Sequence, residues 1–408
     1  MALEHPALDA TRSRFWGDIS LTHAANGLVA FLFAATGPVA VILATGVRGG
    51  LAEADLASWV FGAFFINGII TILFCLLYRQ PLAFFWTIPG TVLVGPALLH
   101  ATLPQVVGAF ILTGVLMLVL GLTGWVRRVM DAIPMPIVMG MVAGVFLQFG
   151  LDWVRAFQGD VVLAAAMTIA FLLVSLQPSI AARFPPLIVA LAVGAVVVWH
   201  GGAFTPGLAE AQVFAAPRLH VPEFAWGPLV ELVVPIAITV LVVQNGQGVA
   251  VLKSVGHDAP VNAIAVGCGI GAILSAFVGA VSSCLTGPVN AIISSSGEKQ
   301  SQYTAGIVVG VLAILFGLFS PLFTRLLLAT PTAFIATLAG LAMLRVLQSA
   351  FTIAFKGNFT LGALVTFLVA VAGIPIFNIG APFWALVAGT IVSLVLERKD
   401  WRPEARAA

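Results

Sequence analysis

Charge is what this sequence has least of. Only 8% of its 408 residues are Asp, Glu, Lys or Arg, against 61% apolar, whereas soluble domains carry about 25% charged residues. A folded water-soluble chain could not bury so much apolar surface, so this scarcity excludes the soluble globular class and points to a polytopic membrane protein. The net charge of +2 includes no basic cluster suited to a nucleic acid, and none is expected as a partner. Cysteine is nearly absent too. Cys75, Cys268 and Cys284 lie in apolar segments without metal-ligand spacing, which argues against a disulfide framework or a metal site. No Walker loop, dinucleotide fingerprint, zinc motif or nucleophile elbow occurs in a supporting context, so neither an enzyme, nor an ATP-driven pump, nor a cofactor is expected. The first fourteen residues, MALEHPALDATRSR, mix in acidic side chains and lack an apolar core. They read as a short cytoplasmic tail, not a cleaved signal peptide.

What is present is a series of apolar segments, at about 19–46, 56–78, 83–99, 104–125, 133–150, 161–177, 184–200, 228–250, 260–280, 281–296, 303–322, 330–350, 359–374 and 378–396. The longest polar connection, 201–227, holds Pro206, Pro217 and Pro222 and divides the chain into halves, 15–200 and 228–398. Positive residues retained on the cytoplasmic side orient the spans. With the N-terminus inside, the inner set is Arg12, Arg14, Arg79, Arg127, Arg128, Arg183, Lys253, Lys299, Arg345, Lys356, Arg398, Lys399, Arg402 and Arg406. The outer set is Arg48, Arg155, Arg218 and Arg325. That bias supports fourteen spans with both termini cytoplasmic.

Two segments are broken. The third reads AFFWTIPG then TVLVGPALL, and the tenth AVSSCLTG then PVNAIISSSG; each is the third of its half. The breaks align as Thr87-Ile88-Pro89-Gly90 beside Cys284-Leu285-Thr286-Gly287. Lipid does not tolerate open backbone, so each break should face protein or a cavity. Matched breaks in two halves of a transporter point to its binding site. Half-helices starting near mid-depth would present free N–H groups and positive dipole ends to a small anion. The alternative for either break alone is an ordinary Pro/Gly kink. A second correspondence pairs Asn26-Gly27 in the first segment with Asn245-Gly246 in the eighth, where Gln244 and Gln247 lie close by. Amides in hydrocarbon should face the protein interior, as ligand contacts or as helix–helix glue.

Other candidates carry two readings each. Asn290 and Thr91 sit just after the breaks and can reach a ligand or cap a turn, and Ser282 and Ser283 can satisfy broken backbone. Phe84, Phe85 and Trp86 offer rings to an aromatic solute or simply pack. His23, the histidine deepest in a span, can handle protons or pack. Asp18 and Glu231 begin the first and eighth segments, as caps or, for Glu231, as a proton carrier.

The stretches SLTHAANGLVAFLFAATGP, FFWTIPGTVLV, VVQNGQGVAVL and CLTGPVNAI resemble the benzoate/proton symporters, the benzoate membrane transport proteins, over essentially the whole chain. More distantly the chain is similar to the nucleobase and sulfate transporter superfamily. That likeness implies an all-α membrane protein of fourteen segments in two inverted seven-segment repeats, with a short strand before the half-helix in segments three and ten. It implies a core domain of 15–125 and 228–322 moving against a gate domain of 133–200 and 330–396. The implied site lies between Pro89-Gly90-Thr91 and Thr286-Gly287-Pro288, flanked by Asn26, Gln244, Asn245, Gln247 and Asn290. The nucleobase branch places carboxylates in segment eight and often ten; amides stand here instead. Neutral donors suit a carboxylate solute, because two buried anions repel. The expected partners are therefore a small aromatic carboxylate such as benzoate, protons and the lipid bilayer, with a homodimer left open. The alternatives are a nucleobase symporter and a passive organic-anion channel.

Overall fold

The computed structural model describes residues 3–6, 15–126, 128, 133–177, 184–202, 212–295, 297–374, 376–377 and 381–401. Arg12, Arg14, Arg127, Arg183, Arg402 and Arg406 of the inner set, and Pro206 of the connection, lie outside the described residues. In chain order the main helices are α1 (Leu21–Arg48), α2 (Glu53–Tyr78), α3 (Ile88–Ala97), α4 (Leu103–Thr123), α5 (Met135–Gly159), α6 (Val161–Leu176) and α7 (Pro186–His200). They continue with α8 (Trp226–Ser254), α9 (Val261–Ala276), α10 (Gly287–Ile293), α11 (Lys299–Leu318), α12 (Thr332–Ala354), α13 (Thr360–Ala372) and α14 (Ala381–Leu396). Helices α1, α2, α4, α5, α8, α11 and α12 are each long and apolar enough to cross a membrane. The chain is an all-α polytopic membrane protein with, among the described residues, one two-stranded sheet. Helix α5 runs nine residues beyond the apolar segment expected to end at 150, because Gln148, Asp152 and Arg155 bond to one another along its last turns.

The β element consists of β1 (Phe84–Trp86) and β2 (Ser283–Leu285), paired antiparallel with Phe85 opposite Cys284. The ladder extends by one bond at each end: Thr87 N–H donates to Ser282 O at 3.0 Å, and Thr286 N–H to Ala83 O at 3.1 Å. Each strand leads straight into a short helix, α3 or α10, with Pro89 or Pro288 in its first turn. Proline is tolerated there because first-turn N–H groups have no intrahelical partner. The structurally equivalent residues are Thr87 and Thr286, both helix N-caps. The correspondence between the breaks therefore shifts by two from the glycine-matched alignment, so that Pro89 also meets Pro288. Glycine is a poor anchor for that match because the cap, not the glycine, marks where the strand ends.

Buried apolar residues gather into two clusters. The first draws on residues 30–126 and 232–316, from α1–α4 and α8–α11. The second draws mainly on 137–198 and 333–386, from α5–α7 and α12–α14. Glycines let several helices touch backbone to backbone. A Cβ added at Gly114 of α4 would lie 2.8 Å from Gly269 O of α9, and one at Gly269 would lie 2.7 Å from Gly114 O. Such approach is how membrane helices gain packing without a hydrophobic drive between them.

Polar contacts collect at the two ends of the bundle. At one end Tyr303 Oη donates to Asp18 Oδ2 at 2.6 Å, Gln80 Nε2 to Asp258 O, Lys299 Nζ to Gly256 O, and Asn262 N–H to Glu4. At the other end Arg48 and Arg155 pair with Asp152, Arg218 with Asp55, and Arg325 with Glu53. Every arginine of the outer set is thus held by a carboxylate at one end. Because α1 runs from beside Asp18 to Arg48, these ends are opposite.

Single cysteines at Leu219 and Val255, both exposed at opposite ends, should react with a membrane-impermeant maleimide from opposite faces of the membrane. The native Cys75, Cys268 and Cys284 are buried and should stay silent. Labelling of both new positions from one face would contradict the arrangement.

Candidate functional site

A cavity of about 420 Å³ lies where the two strand–helix breaks meet. One wall is formed by Phe33, Ala34 and Pro38 of α1, Phe85 and Trp86 of β1, Ile88 and Pro89 of α3, Gln244 and Gln247 of α8, and Thr286, Pro288 and Val289 at the start of α10. The facing wall is Met135, Met139 and Val142 of α5 and Arg345, Val346, Ser349 and Ile353 of α12. The size falls in the ordinary range for small-molecule sites, apolar with a few polar groups. Met135, Arg345, Ser349 and Ile353 are exposed, so the cavity opens toward the end of the bundle that carries Lys253 and Lys299. At the opposite end the Arg48–Asp152 ion pair ties α1 to α5.

Of the sequence-predicted site residues, Pro89, Gln244, Gln247, Thr286 and Pro288 line this cavity, and so do Phe85 and Trp86. Gly287 stands just behind it, where an added Cβ would meet Gln247 Cγ at 2.6 Å. That glycine lets the Gln247 side chain lie across the first turn of α10. Gly90 and Thr91 are buried in the first turn of α3. Thr87 Oγ1 accepts from Gly90 N–H at 3.1 Å, and Thr91 Oγ1 donates to Thr87 O at 2.9 Å.

Asn245 of α8 and Asn290 of α10 sit behind the cavity, their side chains bonded to the backbone of the strand segments. Asn245 Oδ1 accepts from Leu285 N–H at 2.8 Å, and its Nδ2 contacts Cys268 Sγ at 3.5 Å. Asn290 Oδ1 accepts from Ala83 N–H at 2.9 Å, while its Nδ2 donates to Ala83 O at 3.1 Å and to Thr286 O at 2.7 Å. Its amide imitates a strand residue beside β1. Thr71 does the same for Phe84: Phe84 N–H donates to Thr71 Oγ1 at 2.8 Å. Phe84 itself packs on Phe74, and Phe64 backs both Phe85 and Trp86.

The remaining candidates lie elsewhere. Asn26 is six residues into α1 and Asn245 twenty into α8, so the two do not hold equivalent positions in their helices, and Asn26 is not among the described residues that line the cavity. His23 is in the first turn of α1, not deep in it, with Nδ1 2.9 Å from Ser20 Oγ. Glu231 is 2% exposed near the start of α8, its Oε2 2.8 Å from His100 Nε2. Asp18 holds Tyr303 and lies 3.7 Å from Arg79.

Sequence reading missed the whole α5–α12 wall, Arg345 above all. A lone arginine within an apolar run was available as the signal. It also missed the π-helical turns Gly62–Ile66 in α2 and Thr239–Asn245 in α8. The second shifts the register of α8 where Gln244 and Asn245 lie, a common use of such turns. Ser282 and Ser283 Oγ and the Trp86 indole N–H are buried without a hydrogen-bond partner.

Paired broken helices in a polytopic bundle, meeting at a cavity with an open end, are features of a membrane transport protein. The chain belongs to the benzoate membrane transport protein family, whose profile matches residues 17–395. It is a multi-pass inner-membrane protein of a transport family, not an enzyme. Inner membrane protein YdcO of Escherichia coli (strain K12) is 29% identical over 375 residues, covering 91% of this chain and 94% of that protein. The benzoate membrane transport protein of Acinetobacter baylyi (strain ATCC 33305 / BD413 / ADP1) is 26% identical over 386 residues, 93% of this chain and 96% of that protein. The fold is shared with the transmembrane domain of a cyanobacterium bicarbonate transporter, BicA, at TM-score 0.61 and 16% identity, over 93% of this chain and 98% of that one.

Removing the Asn290 amide with Asn290→Ala should strand Ala83 N–H in an apolar interior. Thermal unfolding in detergent should report a loss of about 1–3 kcal/mol. Asn245→Leu should behave alike through Leu285 N–H. An unchanged midpoint for both variants would contradict the bonding described.

Proposed function

We propose that the protein imports benzoate or a similar small aromatic carboxylate together with protons by alternating access. The observation that carries this reading is the cavity itself. It joins aromatic walls from Phe33, Phe85 and Trp86 to donors from Gln244, Gln247, Thr286 and Arg345, and has no Asp or Glu among the described residues of its lining. A carboxylate there meets donors and no like charge, whereas a solute rich in N–H groups would lack a carboxylate acceptor. The two helix starts add positive dipole ends on the same side of the cavity. The name of the Acinetobacter relative agrees with this substrate class.

In this reading the chain makes fourteen crossings in two inverted repeats, joined by 201–227, with both termini cytoplasmic. The two apolar clusters would be the moving bodies: 15–125 with 228–322 as core, and 133–200 with 330–396 as gate. A cavity open at one end and tied by Arg48–Asp152 at the other supports a carrier over a channel. Protons would be handled by Glu231 with His100, by His23, or by the bound carboxylate itself.

Purified protein in liposomes should accumulate benzoate above equilibrium when an inward proton gradient is imposed. Accumulation of uracil alone would select the nucleobase reading, and mere equilibration of benzoate a passive channel.

A further inference from the structure

We propose that Arg345 is the counter-charge of the substrate carboxylate, carried on the gate side of the cavity and closing an anion site whose other donors belong to the core side. The inference rests on the carboxylate reading above and deepens it, naming the group that separates an anion from a neutral solute of the same shape.

Counted by its sign alone, Arg345 belongs with the inner loops. The structure puts it inside α12, which spans 23 residues, with nine following it. At about 1.5 Å rise per residue that is some 14 Å from the helix end, well within a hydrocarbon layer about 30 Å thick. Removing Arg345 from the inner set still leaves thirteen inner residues against four outer ones, so orientation does not depend on it. A charge at that depth is costly unless it faces water, a counter-charge or a ligand, and so marks a functional position.

Its surroundings say which. Arg345 lines the cavity with Ser349 and Ile353, four and eight residues on along the same face. Its Nη1 donates to Gln348 Oε1 at 3.1 Å, a neutral acceptor on its own helix. No Asp or Glu among the described residues forms an ion pair with it. A guanidinium has five donors, and one bond to Gln348 leaves most of the fork for an acceptor in the cavity. On the core side Trp86 is 2% exposed and its indole N–H has no partner. Gln244 and Gln247 stand on that side as well. Donors thus dominate both walls, and the fixed charge is on the gate wall only. A carboxylate between them would bond to both walls at once, whereas a neutral isostere would hold the core wall and leave Arg345 uncompensated. Anion binding would thereby draw α12 toward the core, linking occupancy to closure.

The test compares benzoate with its neutral isostere benzamide on purified wild type, Arg345→Gln and Arg345→Lys by equilibrium binding. Arg345→Gln should weaken benzoate at least about tenfold, the scale of a lost charge-assisted contact, while benzamide binding stays as in wild type. Arg345→Lys should recover most of the benzoate affinity and serves alone if the glutamine variant does not fold: its preference for benzoate over benzamide should persist. Unchanged benzoate binding by Arg345→Gln overturns the proposal and leaves the carboxylate reading intact. Equal loss of both solutes without recovery by lysine also overturns it, in favour of a packing role. A wild type that binds uracil and neither benzoate nor acetate rejects the carboxylate reading, and this inference with it. If acetate binds and benzoate does not, the aromatic preference alone is lost, and the same comparison of variants on acetate against acetamide decides Arg345.

Discussion

An interrupted helix inside an apolar bundle has to place its backbone N–H and C=O groups somewhere, and the centre of this protein is organised around that need. Unpaired peptide groups in hydrocarbon cost several kcal/mol each. Strands β1 and β2 solve half of the problem by pairing with each other. Side chains solve the rest: Asn290 for Ala83, Thr71 for Phe84, and Asn245 for Leu285. These anchors come from α10, α2 and α8, so strands of three residues each lock segments from both halves of the chain together. The result is a fully buried crosspiece from whose opposite ends α3 and α10 start.

Because the crosspiece fixes where those helices begin, it also fixes the cavity. Pro89 and Pro288 can occupy the opening turns, and Gln247 can lie across Gly287 only because that residue has no side chain. The facing wall comes from a different apolar cluster, α5 and α12. The polar anchors and the polar lining are therefore distinct sets of residues, even where they adjoin in sequence: Gln244 and Gln247 face the cavity while Asn245 holds the strand.

This division explains what could be read from sequence. The apolar segments, the matched breaks and the two polar ends were legible because composition and Pro-Gly punctuation are local signals. The roles of Asn245 and Asn290 were not. Asn290 reaches Ala83, a residue 207 positions away, and no spacing rule encodes that pairing. Nor could periodicity reveal the π turn that sets which amide of α8 faces the cavity. Met135, Met139 and Val142 look like any membrane-facing residues until α5 is packed. Arg345 was read only as an inner positive charge, because positive residues in membrane proteins usually mark loops; that it lies within α12 and lines the cavity emerges only from the packing of that helix.

The account stands on a single claim, that the carboxylate binds where the two broken helices begin. Determining the structure with 4-iodobenzoate bound would test it directly, through the anomalous signal of iodine. The claim predicts one ordered site among Phe85, Trp86, Gln247, Thr286 and Arg345. A signal instead in the cavity of about 440 Å³ at the other end, lined by Arg48, His100 and Gln148, with none at the broken helices, would contradict it.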